Sequence, residues 1–255
     1  MGNDASGRFI GMEYPGRFIV LGQTSEGILT AVYGITGRSP PSRARELVVD
    51  ALHPTTTTLR VNPTDPEAFK TAKFPDLLTY DAVIVNPNGL AVSNGRQTNQ
   101  VSANLISESS KMALYLGHRD FSFEPDEPNF TPRISGCISA KDGTASVGII
   151  RRVLEDGRPI THKHYFDVPL KPGQGTFIST YSGENKNPLP SFQGEPFQVP
   201  LLSDNPWEET AKFFYDAFAP QPGKDDLRVA VAAVFFNDGR SGHHIINRHD
   251  LEKRL

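Results

Sequence analysis

The chain has 255 residues, of which 37% are hydrophobic and 22% charged, and its formal net charge is -3. That balance excludes a disordered chain and offers no basic face of the kind a general nucleic-acid binder needs, though it leaves room for a local cluster that grips a small phosphorylated ligand. A single cysteine, Cys137, excludes an internal disulfide and points to a reducing, cytoplasmic setting.

Apolar runs alternate along nearly the whole length with no long polar linker, which predicts one domain over 1–255 with a flexible extension over about 1–14. The N-terminus lacks a signal-peptide apolar core. No run of about 18 apolar residues exists, so no membrane span is expected. MGNDAS, with Gly2 and Ser6, has the form of a myristoylation pattern; a frayed terminus accounts for it as well.

GRFIVLG (Gly16 to Gly22) and ILTAVYGIT (Ile28 to Thr36) read as two strands joined by the turn TSEG. ELVVDAL and TTTTLRV follow as β-rich segments, and Asp65 to Phe74 can hold a short helix. LLTYDAVIVN and LAVSN flank an Asn88-Gly89 hairpin turn. The spacing from Gln97 to Leu116 predicts two helices broken near Ser109-Ser110. FEPDEPNFTPR is proline-rich and must be irregular. RISGCISA and TASVGIIRRV form a further hairpin around Lys141-Asp142-Gly143, and HKHYFDVPL and GTFISTYSG are strands before a second loop, GENKNPLPSFQGEP. Asn205 caps a helix with Pro206 at its first position. Trp207, Ala211, Phe214, Tyr215 and Phe218 form its apolar stripe. The chain closes with the strand LRVAVAAVFFN, the turn Asp238-Gly239 and GHHIINRH. Hairpins dominate, so the sheets should be antiparallel, and two sheets face to face with helices outside make a layered α+β sandwich.

Five stretches carry more loop-adjacent polar groups than a scaffold needs. In TGRSPPSR, Arg38 and Arg43 bracket Pro40-Pro41; proline lowers the entropy lost in fixing a loop, and arginine forks match phosphate or carboxylate. A solvent-facing basic turn has the same composition. In AVSNGRQTN, Ser93, Asn94 and Gly95 end a strand where a helix begins, where backbone N–H groups can hold an anion or simply cap the turn. In FEPDEPNFTPR, Glu124 and Arg133 flank a stiff polar loop, and a carboxylate shielded from water beside arginines can act as general base or acid; an acidic surface loop is the alternative. Thr180 and Tyr181 stand at a strand end beside GENKNPLP, and Tyr80 in LLTYDAV offers a phenol that packing alone also explains. The histidines (His162, His164, His243, His244, His249) match no metal-ligand spacing, and neither metal nor cofactor is expected. Cys137 reads as a buried small hydrophobe.

Taken in order, GRFIVLGQTSEG with AVYGITGRSPPSR, TYDAVIVNPNGLAVSNGRQT, YLGHRDFSFEPDEPNFTPRISG and GTFISTYSGENKNPLPSFQGEP resemble the archaeal-type IMP cyclohydrolase family and its longer bacterial relatives, from about Pro15 to the C-terminus. The resemblance implies a four-layer αββα sandwich of the N-terminal-nucleophile hydrolase type. No Cys, Ser or Thr opens the first strand here, so that nucleophile is missing. It implies a cyclohydrolase that acts on a cyclic amidine C–N bond, closing 5-formamidoimidazole-4-carboxamide ribonucleotide to IMP with loss of water, the last step of purine synthesis. It implies Arg43 and Glu124 as the catalytic pair. Arg38, Tyr80, Ser93, Asn94, Gly95, Arg133, Thr180 and Tyr181 are then the substrate-binding candidates. The expected partner is a purine ribonucleotide rather than nucleic acid or membrane, and the apolar faces leave room for a homo-oligomer.

Three departures from the family pattern matter. Gly34 stands where an arginine is expected, so an anion contact is missing or supplied elsewhere; Gln97 replaces a histidine; and the acidic loop is one residue longer, which makes Glu127 a rival to Glu124. The Gly34 departure motivates an alternative, a purine-nucleotide-binding protein without turnover. A third reading, an amidase on the same fold, requires a trimmed N-terminus.

Overall fold

The computed structural model describes residues 8–53, 55–70, 73–201, 206–237 and 240–253, the side chains of 51–53, 66, 68 and 206 excepted. The Gly2/Ser6 pattern, the Asn205 cap and the Asp238-Gly239 turn lie outside the described residues.

The N-terminal hairpin forms as expected from β1 (Arg17–Gln23) and β2 (Leu29–Thr36). The Pro40-Pro41 stretch is not a plain loop: it winds into a single helical turn, α1 (Pro40–Arg43), which Ser39 caps through its side chain and which carries proline in its first positions. A meander follows, made of β3 (Arg45–His53), β4 (Thr56–Pro63), β5 (Tyr80–Asn86), β6 (Gly89–Ser93), β7 (Arg133–Ser139), β8 (Ala145–Glu155) and β9 (Arg158–Asp167). All seven pair antiparallel with their sequence neighbours into one sheet. A short α2 (Pro66–Lys70) and a 3-10 turn over Pro75–Leu77 lie between β4 and β5. The two predicted helices, α3 (Gln97–Asn104) and α4 (Ser110–Gly117), lie between β6 and β7.

The other sheet has the order β11-β10-β1-β2-β12-β13. It adds β10 (Gln174–Ser179), β11 (Phe197–Pro200), β12 (Arg228–Asn237) and β13 (Arg240–Asn247) to the first hairpin. α5 (Pro206–Ala217) packs on β2, β12 and β13, and α3 and α4 pack on the meander. β1 and β2 meet β6, β7 and β8, and β3 meets β12 and β13, so the sheets face one another. A short α6 (Arg248–Glu252) ends the described chain.

Alternation along β1 sorts its residues between two cores. Phe18 faces α5: its ring centroid lies 4.6 Å from that of Phe218 and 5.6 Å from that of Phe177. Leu21 faces the other sheet, where the missing side chain of Gly136 makes room; a Cβ there would stand 2.6 Å from Leu21 Cδ1. Tyr33 on β2 donates to or accepts from Tyr80 on β5 at 2.7 Å, which ties the two sheets with a buried polar link. Phe214 and Phe218 enter the aromatic core, whereas Trp207 is 41% exposed and lies over Gly242 and Phe235.

Residues 8–14, expected to lie in an N-terminal extension, pack against the body of the domain. Phe9 is fully buried against Phe177, Phe213, Phe214 and Phe218, and Tyr14 is buried and bridged to Gly183. Burial of the two rings offsets part of the entropy lost in ordering the segment. Cys137 is buried mid-strand, as expected, with its thiol donating to Ser110 O at 3.1 Å. Among the described residues no helix is long and apolar enough to cross a membrane.

His118, which follows α4, is fully buried with Nε2 2.7 Å from Ser135 Oγ. Burial first, then the positive charges of Lys163 and Arg133, lower its pKa to about 3. The unfolded chain therefore binds a proton below about pH 6.5 that the folded chain refuses. Stability is complete above that pH and should fall by up to about 1.4 kcal/mol per pH unit as the pH drops toward about 3. Urea unfolding of the wild type and His118→Gln across this range should show a flatter acid decline in the variant; parallel declines would contradict the assignment.

Candidate active site

Arg17 is the first residue of β1 and shares the inward face with Ile19 and Leu21. Its side chain therefore enters the space between the sheets rather than solvent. There it meets Glu124: Nη2 donates to Oε1 at 3.1 Å and to Oε2 at 3.0 Å. Glu124 is 2% exposed. Arg133, the first residue of β7, brings Nη1 to 3.8 Å from Glu124 Oε1. Burial pushes the Glu124 carboxyl above its ordinary range, against the opposing pull of Arg17 and Arg133. Arginine keeps its charge in proteins, so the cluster holds two fixed cations and one carboxyl whose proton affinity is raised.

The loop that carries Glu124 is folded on itself. Glu124 N donates to Thr131 O at 2.9 Å, and the Asp126 carboxylate accepts from Thr131 N at 2.6 Å and from the Thr131 hydroxyl. Thr131 also shares a hydrogen bond with the Tyr181 hydroxyl, and Asn129 Oδ1 accepts from Leu189 N at 3.0 Å. The acidic loop and the second proline-rich loop therefore brace each other.

Asn94 is the hub on the other side. Its amide donates to Glu124 Oε1 at 3.3 Å and Pro132 O at 3.0 Å, and accepts from Ile134 N at 2.8 Å and Gln97 Nε2 at 3.1 Å. All four hydrogen-bonding capacities of the side chain are used, which fixes the carboxylate beside it. Gln97, buried at the start of α3, bridges Asn94 to Arg133, whose Nη1 donates to its Oε1 at 3.4 Å.

Two adjoining hollows open onto this cluster. One, of about 570 Å³, is lined by Arg17 and Glu124 at its floor, Tyr14, Tyr181 and Leu189 at one wall, and Arg38 with Ser39 to Ser42 at another. The second, of about 510 Å³, is lined by Asn94, Gly95, Arg96, Phe121 and Arg133. Lys73, Phe74 and Leu77 line both, so the short segment ahead of β5 stands between them.

The sequence candidates divide accordingly. Glu124, Asn94, Gly95, Arg133, Arg38 and Tyr181 line the two hollows. Arg38 donates to Lys186 O at 2.9 Å and lies over the Tyr14 ring. Ser93, Tyr80 and Thr180 are buried behind the walls: Ser93 bonds to Gly95 O at 3.1 Å, Tyr80 to Tyr33, and Thr180 to Arg17 N at 3.1 Å and Pro15 O at 3.0 Å. Glu127 is exposed and lines neither hollow.

Arg43 is not brought to Glu124. It points to the far side of α1, where Nη2 lies 3.2 Å from Asp225 Oδ2, and it lines a separate pocket. One helical turn separates it from Arg38, which sends the two arginines of TGRSPPSR to opposite sides of the loop. Arg17 is the guanidinium that sequence reasoning missed. Its signal is a charged residue in phase with the core-facing positions of a strand.

Gly34 pairs with Phe18 in the β1–β2 register, and a Cβ would stand 2.0 Å from Phe18 Cε1. The position faces the aromatic core under α5, not the hollows.

The model of the family described as IMP cyclohydrolase-like protein matches residues 14–239. Three archaeal relatives, each named IMP cyclohydrolase, are similar over most of their length. The Methanocaldococcus jannaschii protein is 28% identical over 186 residues, 71% of this chain and 81% of its own. A Methanococcus maripaludis protein is 30% identical over 230 residues, 89% and 96% of the two chains. That of Methanopyrus kandleri is 30% identical over 193 residues, 71% and 89%.

Replacing Arg17 by Met leaves the Glu124 carboxylate buried with its closest cation gone, which should cost about 3–5 kcal/mol in urea unfolding. Adding Glu124→Gln removes the stranded charge and should recover most of that loss. Additive losses in the double variant would mean that the two side chains are not energetically coupled.

Proposed function

The chain belongs to the IMP cyclohydrolase-like family, and on that premise we propose that it closes 5-formamidoimidazole-4-carboxamide ribonucleotide to IMP with release of water. The observation that carries the reading is the buried Glu124 carboxyl, set between Arg17 and Arg133 at the floor of a cleft. The relatives named IMP cyclohydrolase support it from outside the structure.

The reaction needs a base for a poor nucleophile and a cation for a developing oxyanion. The carboxamide nitrogen attacks the formyl carbon, a C–N bond forms, and the amide proton passes to Glu124. The formyl oxygen becomes an alkoxide beside a guanidinium, then takes that proton to give a carbinolamine. In the second half the former formamido nitrogen loses its proton to Glu124, the C–O bond breaks, and the hydroxyl leaves as water with a proton from the same carboxyl. A carboxyl with raised proton affinity is better matched to both transfers near neutral pH than an ordinary one.

Positioning is the largest contribution. Holding two reacting groups in line is worth about 7–11 kcal/mol in favourable cases, a donor to the oxyanion about 3–4 kcal/mol, and a placed base roughly 10²- to 10⁴-fold. The braced loops and the saturated Asn94 amide suit that task. In this reading Arg17 or Arg133 takes the oxyanion role, since Arg43 stands outside the cleft. Arg38 and Lys73 supply positive charge for the phosphate, and Phe74, Tyr14 and Tyr181 supply apolar or aromatic surface for ribose and base. Asn94, Gly95 and Arg133 serve the reacting end.

We read the sandwich as the four-layer αββα arrangement of the N-terminal-nucleophile hydrolases, adapted to a different chemistry, and the chain as one domain. Helices on the outer side of each sheet support this. The first residue of the first strand is Arg17, whose side chain is no nucleophile and is committed to Glu124. That disfavours the amidase reading. The reading without turnover rested on Gly34, which lies away from the cleft.

Spectroscopic assay of IMP formation should find Glu124→Gln slower by about 10²- to 10⁴-fold and Glu127→Gln near wild type; the reverse pattern would move the base. Arg17→Lys should lose more kcat than Arg43→Gln, and the opposite order would return the guanidinium role to Arg43. Because Glu124 must be unprotonated to act, kcat should fall as the pH drops through its raised pKa. The acid limb should therefore lie above about 4.3, the ordinary glutamate value, and a limb at or below that value would contradict the assignment.

A further inference from the structure

On the far side of α1 lies a pocket of about 300 Å³ that the ring-closing reaction does not use. Arg43, Arg45 and Arg248 line it, with His249 and Glu252. Arg45 is 2% exposed, and among the described residues no carboxylate pairs with it. Its Nε donates to Ser42 O at 2.8 Å and its Nη2 to Thr36 O at 3.4 Å, while Nη1 is buried with no partner among the described residues. Arg43 Nε is also buried and unpartnered. Fully buried charges are otherwise paired, and an unpaired one is strongly unfavourable. The local carboxylates take up part of the charge of the other two arginines and none of that of Arg45. Glu252, itself in the lining, accepts from Arg248 Nε at 2.7 Å, Arg248 Nη1 donates to Asp226 O at 2.6 Å, Asp225 lies 3.2 Å from Arg43 Nη2, and Glu46 lies 3.4 Å from His249.

We propose that this pocket is a second anion site, taking inorganic phosphate or the phosphoryl group of a small phosphate monoester, with Arg45 as its buried counter-charge and Arg248 as its accessible fork. Arginine forks match the geometry of a phosphoryl group, and the buried Arg45, which has no carboxylate partner among the described residues, supplies the uncompensated charge, with Arg43 and Arg248 beside it. Pro40 lines both this pocket and the cleft, so the site backs directly onto the loop that carries Arg38.

Calorimetric titration at matched ionic strength tests it, with inorganic phosphate and ribose 5-phosphate as probes, each with and without saturating IMP. Both probes should bind with IMP present, and Arg248→Gln should weaken them by about tenfold or more, the loss of one charged fork. Tighter binding of ribose 5-phosphate would identify a monoester as occupant, and equal binding would identify the free ion. Thr64→Glu, which places a carboxylate at the pocket wall while leaving the arginines intact, is the second variant should Arg248→Gln not fold. No binding of either probe, or affinities unchanged in the variants, or binding abolished by IMP, would overturn the site. Failure of IMP itself to bind would count against the proposed function and leave the pocket to be judged on the variants alone.

Discussion

A carboxyl group sealed between two sheets is unfavourable unless cations and donors surround it, and the site is organised around meeting that condition. Glu124 can be buried because Arg17 reaches it from the head of β1, Arg133 from the head of β7 and Asn94 from the end of β6. Each stands at an end of a strand, so both sheets must be packed before the cluster exists. The same burial raises the carboxyl's affinity for a proton, which suits it to the base role we propose. On that proposal, stability and chemistry act on one group in opposite senses.

Rigidity of the surroundings keeps that group in place. Asn94 uses all its hydrogen-bonding capacity, and the loop after α4 closes through Asp126, Thr131 and Tyr181 onto the loop after β10. Tyr33 and Tyr80 hold the sheets together close to Arg17. These contacts fix the position of the carboxyl, which proximity effects demand.

Much of the fold was legible because hairpins declare themselves locally. Alternating runs with Thr-Ser-Glu-Gly or Asn-Gly between them can pair in only one register, and the broken helical spacing at Ser109-Ser110 marked the α3–α4 pair. The short elements were not legible. α1 depends on a Ser39–Ser42 capping box within four residues, and β11 is a four-residue edge strand whose partner, β10, lies beyond a long loop. Phe9 looked like part of a tail because its aromatic partners come from β10 and α5. In the site, Glu124, Asn94 and Arg133 stood out in loops dense with proline and polar residues. Arg17 did not, since its partner is 107 residues away and a lone arginine before an apolar run looks like a strand flank. Arg43 was placed from the loop's resemblance, and the turn of α1 rotates it away.

The most direct measurement is a crystal structure with IMP bound. The account predicts the base over the cleft floor, with the ring carbon that was the formyl carbon and its flanking nitrogens within hydrogen-bond reach of Glu124, about 3 Å, and the phosphate toward Arg38 and Lys73. IMP seated with its base against Arg43 on the far side of α1, or with Glu124 facing the phosphate, would contradict it.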